Sequence, residues 1–337
     1  MHGEFAFTPS IFDQEAHKDC EAWREQLQEL GHGMFPRTAA GSVMVSNLYE
    51  GAWYETALET VKSIKDQKAR VLCQSLLKKI EGTLVNRPVC GDWPEIDLAW
   101  GREAIKSDAV AKSDRIIACK SVRDALSPEY RKIRNISEVL DAGFWKDISS
   151  EFSVPSRIDE QVDAMRKLCL HSEFLCLVTP HIKGGHDNDT DFALALIQSV
   201  FRRPKGFLPP VIELHTEAPD KQASSDFEER LTSFLESISV AVRSALKSDQ
   251  KVRLVIWPKL RDRFLIAGVY TKLSDGKLVR SPRWGVAMSH LARKAHDNED
   301  RPPTPWSLLT SKQLGDEFNR YRTDERTKPI RNVEIPM

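Results

Sequence analysis

Between residues 54 and 84 the chain reads YETALETVKSIKDQKARVLCQSLLKKIEGTL, with apolar residues at Ala57, Val61, Ile64, Val71, Leu72, Leu76, Leu77 and Ile80. Three- and four-residue spacing is the period of a helix with one buried face. Gly82 and Pro88 end the pattern. Further helices are predicted over 13–30, 97–119 and 137–148, with Asp97 and Ser127 as candidate caps, Ser127 being followed by Pro128 at a first helical position. A short strand is expected within GSVMVSNLYEGAWY. The pattern over 1–155 thus predicts a mainly α-helical domain, a scaffold or partner-docking platform.

After FSVPSR, around Pro155, the period changes. RIDEQVDAMRKLCLHS reads as a helix, and EFLCLVTPHI as a continuous apolar run of strand length, the mark of a strand covered on both faces. TDFALALIQSVFRRP is helical with Asp189 or Thr190 as its cap, PPVIELHTE is a second buried strand, and DFEERLTSFLESISVAVRSALKS is a long helix. KVRLVIWP and DRFLIAGVY are two more strands. This alternation predicts an α/β domain over 156–337 with a mostly parallel sheet flanked by helices. In such sheets sites form at the C-terminal edges of the strands. His181, His215, Glu217 and the segment Arg261–Asp262–Arg263 fall there or at a strand's start.

A chain of 337 residues exceeds the usual size of one hydrophobic core, in keeping with two domains. No run of about 18 apolar residues and no basic-then-apolar leader occurs, so no membrane contact and a cytoplasmic location are expected. The six cysteines form no CxxC pair, which supports neither a zinc ribbon nor a disulfide framework. The net charge of zero hides an asymmetry: residues 251–337 hold 18 Lys and Arg against 10 Asp and Glu, leaving 31 against 39 in residues 1–250. A basic segment attracts phosphates, or else forms a mixed-charge surface facing acidic residues.

TPHIKGGHDNDTDF gathers histidines and aspartates, but it lacks the spacing of a calcium loop or an HExxH pair, so capping and loop solvation are the expected roles and no metal is predicted. In VIELHTE the alternation of a strand sets Glu213, His215 and Glu217 on one face. Such a row can orient an imidazole for acid/base work, or simply solvate a strand end. No GxSxG, GxxxxGK[ST] or GxGxxG is present, and no cofactor is implied.

From about 157 to 290 the order of LVTPHI, VIELHTE, VRLVIW, RDRFLI and RWGVAMSH resembles the phospholipase D-like fold, in the divergent branch found in bacterial defence islands and in proteins that borrow the fold for binding. The resemblance implies a phospholipase D-like sheet and, in active members, a nucleophilic histidine on a phosphodiester with a lysine two residues on. Here Arg261 stands in place of that histidine and Arg263 in place of the lysine. A guanidinium stays protonated and cannot attack phosphorus, but it grips phosphate well.

The resemblance therefore implies a non-catalytic subunit of a prokaryotic antiviral defence system that binds nucleic acid, a partner protein, or both. Lys259, Arg261, Arg263, Arg280 and Arg283 are the expected phosphate ligands, supported by His181, Glu213, Glu217 and Asp262. Alternatively Asp262 pairs with a helix residue and the arginines cover an edge. Two other readings are a nuclease or phosphodiesterase using His215 or His290, and an adaptor for a larger ATPase or nuclease.

Overall fold

GEFAF, the strand β1 (Gly3–Phe7), shows no alternation of burial because both of its faces are covered. The computed structural model describes the chain apart from positions 1, 36–42, 129, 147–150, 156, 186, 220–225, 247–249, 290–302, 323–328 and 337. It divides into two units, Met1–Ser150 with Pro204–Phe207, and Glu151–Arg203 with Leu208–Met337. Both are mixed α/β. No helix among the described residues is long and apolar enough to cross a membrane.

The first unit runs β1, α1 (Cys20–Met34), β2 (Val43–Asn47), α2 (Ala52–Lys62), α3 (Gln67–Glu81), β3 (Leu84–Asn86), α4 (Asp97–Val110), β4 (Arg115–Ala118), α5 (Lys120–Leu126) and β5 (Ile133–Asn135). Its five strands are parallel in the order β3-β2-β1-β4-β5, so the chain reverses direction across the sheet between β1 and β4. Phe5, Phe7, Trp23, Leu27, Trp53 and Leu77 fill the core around this sheet.

The expectation of a mainly helical domain is therefore corrected. Strands of three to five residues are too short to interrupt a helical period visibly, and parallel strands buried on both faces do not alternate. The single helix expected over 97–119 is α4 followed by β4, and that over 137–148 is a 3₁₀ turn at Ile136–Leu140. Ser127 ends α5 instead of starting a helix, its N–H donating to the Arg123 carbonyl at 2.8 Å.

The second unit runs β6 (Glu151–Val154), α6 (Ile158–Ala164), α7 (Arg166–His171), β7 (Phe174–Val178), α8 (Asn188–Phe201), β8 (Val211–Glu217), α9 (Phe227–Ala245), β9 (Lys251–Trp257), β10 (Phe264–Lys272), β11 (Leu278–Met288), β12 (Thr304–Leu308), α10 (Ser311–Arg320) and β13 (Arg331–Pro336). The sheet order is β13-β9-β8-β7-β10-β11-β12-β6. Only the β7–β8 and β8–β9 pairings are parallel, which corrects the expected mostly parallel sheet. Six residues separate β9 from β10. A parallel neighbour needs a crossover of roughly a dozen or more, so β10 enters antiparallel beside β7.

Register sets one face of this sheet. Cys176 of β7, Glu213 of β8 and Arg253 of β9 lie side by side, and the next residues on that face are Val178, His215 and Val255. Helix α10 covers part of it, with Leu314 and Phe318 joining the apolar cluster around Phe174, Cys176, Val178, Val255 and Trp257.

Candidate functional site

Glu213 sits mid-strand on β8 with 2% of its side chain exposed, where an unpaired carboxylate would be costly. Two guanidiniums resolve that cost. Arg280 from β11 grips it in a bidentate manner, Nη1 to Oε2 and Nη2 to Oε1 both at 2.6 Å, and Arg253 from β9 donates Nη1 to Oε1 at 2.7 Å. Burial alone would raise the Glu213 carboxyl, but the nearby His215 ring and the hydrogen bonds and charge of Arg280 hold it well below the usual carboxylate range. Burial would likewise lower Arg280, and Glu213 outweighs it, keeping the guanidinium above its usual range. The Arg280 group also lies over the Phe174 ring, 5.6 Å from its centroid.

His215 is fully buried two residues further along β8. Its Nδ1 accepts a hydrogen bond from the Trp257 indole N–H at 2.9 Å, and its Nε2 faces Glu213 Oε2 at 3.5 Å, long for a hydrogen bond. An indole nitrogen only donates, so Nδ1 keeps its lone pair and the ring proton resides on Nε2. With Nδ1 accepting, the ring is neutral, and burial lowers the His215 pKa against the opposing pull of Glu213. Its one basic nitrogen is thus occupied by a donor inside the core. This arrangement gives neither a nucleophile nor a proton shuttle to solvent.

Among the described residues, Cys176, Glu213 and His215 bring potential metal-ligating atoms within 4.8 Å of one another. The donor set does not fit a cation. The Nε2 that would ligate carries the proton, both Glu213 oxygens already accept from guanidiniums, and burial pushes the Cys176 thiol well up, away from the thiolate.

The expected phosphate ligands separate into two places. Lys259 and Arg261 are exposed in the loop between β9 and β10, with no hydrogen-bond or ion-pair partner among the described residues. Arg261 and Arg263 both precede β10, which begins at Phe264 and not at Asp262 as DRFLIAGVY predicts. Arg263 donates Nε to Asp189 Oδ2 at 3.2 Å, and Thr179 Oγ1 also donates to that oxygen, which commits this arginine to structure. Asp262 pairs with Arg320 at the end of α10, at 3.8 Å, as the helix-pairing alternative has it. Arg280 and Arg283 are on β11, Arg280 toward the end of β10 far from the loop and Arg283 beside its middle.

The supporting residues also separate. Glu217 accepts the Leu260 N–H at 2.9 Å and braces the same loop. His181 is exposed just past β7, and His290 lies outside the described residues. The cap of α8 is Asp187, which accepts the Thr190 N–H at 2.9 Å; Asp189 and Thr190, expected as caps, point into the fold and are buried.

Sequence reasoning missed Arg253 and Trp257 as partners of the Glu-His row. A signal for Arg253 was present: it interrupts the apolar run of VRLVIW, as a residue with a buried counter-charge does.

A second polar cluster marks the first unit, where β1 and β4 end beside the reversal of strand order. Asp97, in the first turn of α4, accepts the Ser10 N–H at 2.9 Å and also the Ser10 hydroxyl. Cys119 Sγ lies 4.0 Å away. Desolvation raises the Asp97 carboxyl above the usual aspartate value in spite of these donors. Asp97 therefore joins the loop after β1 to α4, a different task from the helix cap expected of it.

No family model matches the chain, and no curated protein matches it. Among solved structures it is similar to TrmBL2, an archaeal chromatin protein with a novel mode of DNA binding, at 9% identity and a TM-score of 0.24, over 93% of this chain and 96% of that one. A likeness of that size carries no argument.

Proposed function

We propose that the chain is a non-catalytic binding subunit whose second unit holds nucleic acid through the loop between β9 and β10. The observation that carries this reading is the state of Arg261 and Lys259: both are exposed, and neither is engaged by any described residue. A guanidinium and an ammonium held out from the C-terminal ends of parallel strands are suited to phosphate contacts, which position a backbone without reading its sequence. The absence of catalysis follows from the chemistry of the two groups considered. Arg261 has no lone pair to offer, and the basic nitrogen of His215 is taken up by Trp257 inside the core. With the resemblance to divergent phospholipase D-like proteins, the reading extends to a defence-type assembly in which a partner subunit supplies the catalysis.

The test is binding of fluorescent DNA and RNA oligonucleotides over a range of salt concentrations. Affinity is expected to fall steeply with salt, and the double variant Lys259→Ala/Arg261→Ala is expected to lessen the log–log slope on duplex DNA by roughly 1.8, two contacts at about 0.9 each. Identical slopes in variant and parent overturn the role of the loop. Cleavage of any oligonucleotide that disappears in His215→Ala overturns the non-catalytic reading.

A further inference from the structure

The cluster around Glu213 is overcompensated. One carboxylate meets two guanidiniums, and His215, whose Nδ1 accepts from Trp257, is neutral, so the cluster carries one surplus positive charge. Charge of this kind inside a fold is costly unless a counter-ion completes it. The groups carrying the surplus are not sealed off: Arg280 is 20% and Arg253 34% exposed, against 2% for Glu213. Arg253 uses Nη1 alone on Glu213 and has no other hydrogen-bond partner among the described residues, so most of the five donors of its guanidinium are unused.

The surroundings are built for an anion and not for a second cation. Tyr270 stands opposite Arg280 in the register. The Phe174 ring backs Arg280 at 5.6 Å, fixing the plane of the fork. Register places Arg253, Glu213 and Cys176 in one row, with Phe174, Tyr270 and Arg280 on the same sheet face beside it. Lys251, two residues before Arg253 on that face, is exposed and paired at 2.8 Å with Glu334, which stands opposite Arg253 in the register and also feels its charge; this Lys–Glu pair adds no net charge to the cluster. The Arg280 fork is spent on the buried carboxylate, but its charge stands beside the Arg253 guanidinium, whose unused donors match the oxygens of a tetrahedral anion.

We infer that Arg253 and Arg280, held in place by Glu213, form a phosphate-binding site on the sheet face of the second unit, apart from the β9–β10 loop. Arg253 lies four residues before the end of β9 at Trp257, about 13 Å at ~3.3 Å per residue, and Lys259 lies beyond that end. The site does not rest on the loop reading and survives its failure. The ligand is a phosphate group, supplied either free or as part of a nucleotide chain.

Calorimetric titration of inorganic phosphate into the full chain, at ionic strength held constant with chloride, tests it. Saturable binding is expected in the parent and in Lys259→Ala/Arg261→Ala, with at least a tenfold loss in Arg253→Ala. Arg253→Ala keeps the Arg280–Glu213 pair, so its fold is checked by an unchanged thermal midpoint in chloride; Arg253→Gln serves as the second variant if that midpoint falls. Oligonucleotides with and without a 5′-phosphate are then competed against inorganic phosphate. Displacement by the phosphorylated strand alone identifies a terminal monoester as the ligand, and displacement by both identifies the backbone. Equal phosphate affinity in the parent and both Arg253 variants, or no saturable binding to the parent, overturns the site.

Discussion

Asp97 in the first unit and Glu213 in the second are both carboxyls drawn into the fold, and they are satisfied by opposite means. Asp97 is held by neutral donors, the Ser10 amide and hydroxyl, and burial leaves its pKa raised. Glu213 is more deeply buried yet held by guanidiniums, and its pKa is depressed. The difference teaches that burial does not set the charge state; the charge of the donors does. It also assigns the two sites different work. The Asp97 cluster ties a loop to a helix through neutral donors, whereas the Glu213 cluster stores positive charge on a sheet face.

Substitution of Glu213 should break the comparison most severely. Glu213→Ala leaves Arg280 and Arg253 without their carboxylate, and a loss of about 3 kcal/mol is expected, at the low end for breaking a buried pair because both arginines retain some solvent. The denaturant midpoint reads it. A second-unit transition unmoved from that of the parent would mean that the guanidiniums do not depend on Glu213.

Trp257→Phe comes next. It removes the indole donor together with part of the ring stacked on His215, at an expected cost of about 1–3 kcal/mol for the unpaired buried acceptor plus that of the space left. Nitrogen-15 spectra of the imidazole should show the Nε2–H form in the parent, and a mixture of tautomers once the donor is gone. An Nδ1–H signal in the parent would refute the hydrogen-bond assignment.

Smaller effects, in slope and not in midpoint, are expected from pH. A carboxyl raised in the folded state favours folding while protonated, so the contribution of Asp97 is complete below its unfolded value of about 3.9 and is lost as pH rises through its higher folded value. Asp97→Asn should flatten that decline. Glu213 has the reverse sign: its contribution is present above the unfolded value of about 4.3 and is lost as pH falls toward the depressed folded value, and Glu213→Gln should remove that acid-side loss. Stability curves across this range with the same sign of change in both variants would contradict the contrast. Least of all, Arg261→Ala should alter stability by no more than about 0.5 kcal/mol, as befits an exposed side chain engaged by no described residue.

How much of this was legible in the sequence differs between the units for a physical reason. In the second unit β7, β8, β9 and β10 are apolar runs of five to nine residues bounded by Pro, Gly or charged residues, long enough for run length to speak. In the first unit β3, β4 and β5 have three or four residues, and RIIA was absorbed into the period of the helix before it. Within the site, the row Glu213–His215 follows from strand alternation alone. Its partners do not: Arg253 and Arg280 reach Glu213 through the pairing of β9 and the placement of β11, which are matters of strand order and register. His215 looked like an acid/base candidate because nothing in VIELHTE tells that Trp257, on the next strand, fills its lone pair.

The hairpin of β10 and β11 slips by one residue between Ala267 and Gly268, so that Ala267 faces Trp284 while Gly268 faces Pro282, and Arg283 has no opposite number. Side chains alternate along a strand, so that supernumerary residue reverses the odd–even parity of everything before it on β11. Arg280 consequently stands opposite Tyr270, on the side of Glu213, where even pairing would have turned Ser281 inward instead. Gly268 permits the slip, since a Cβ there would run into the Ser281 carbonyl and the Phe174 ring. Were Arg283 drawn into the ladder opposite Gly268, Ser281 would stand opposite Tyr270 and a hydroxyl would replace a guanidinium at the glutamate, so the sign of the cluster is written in the register as much as in the residues themselves.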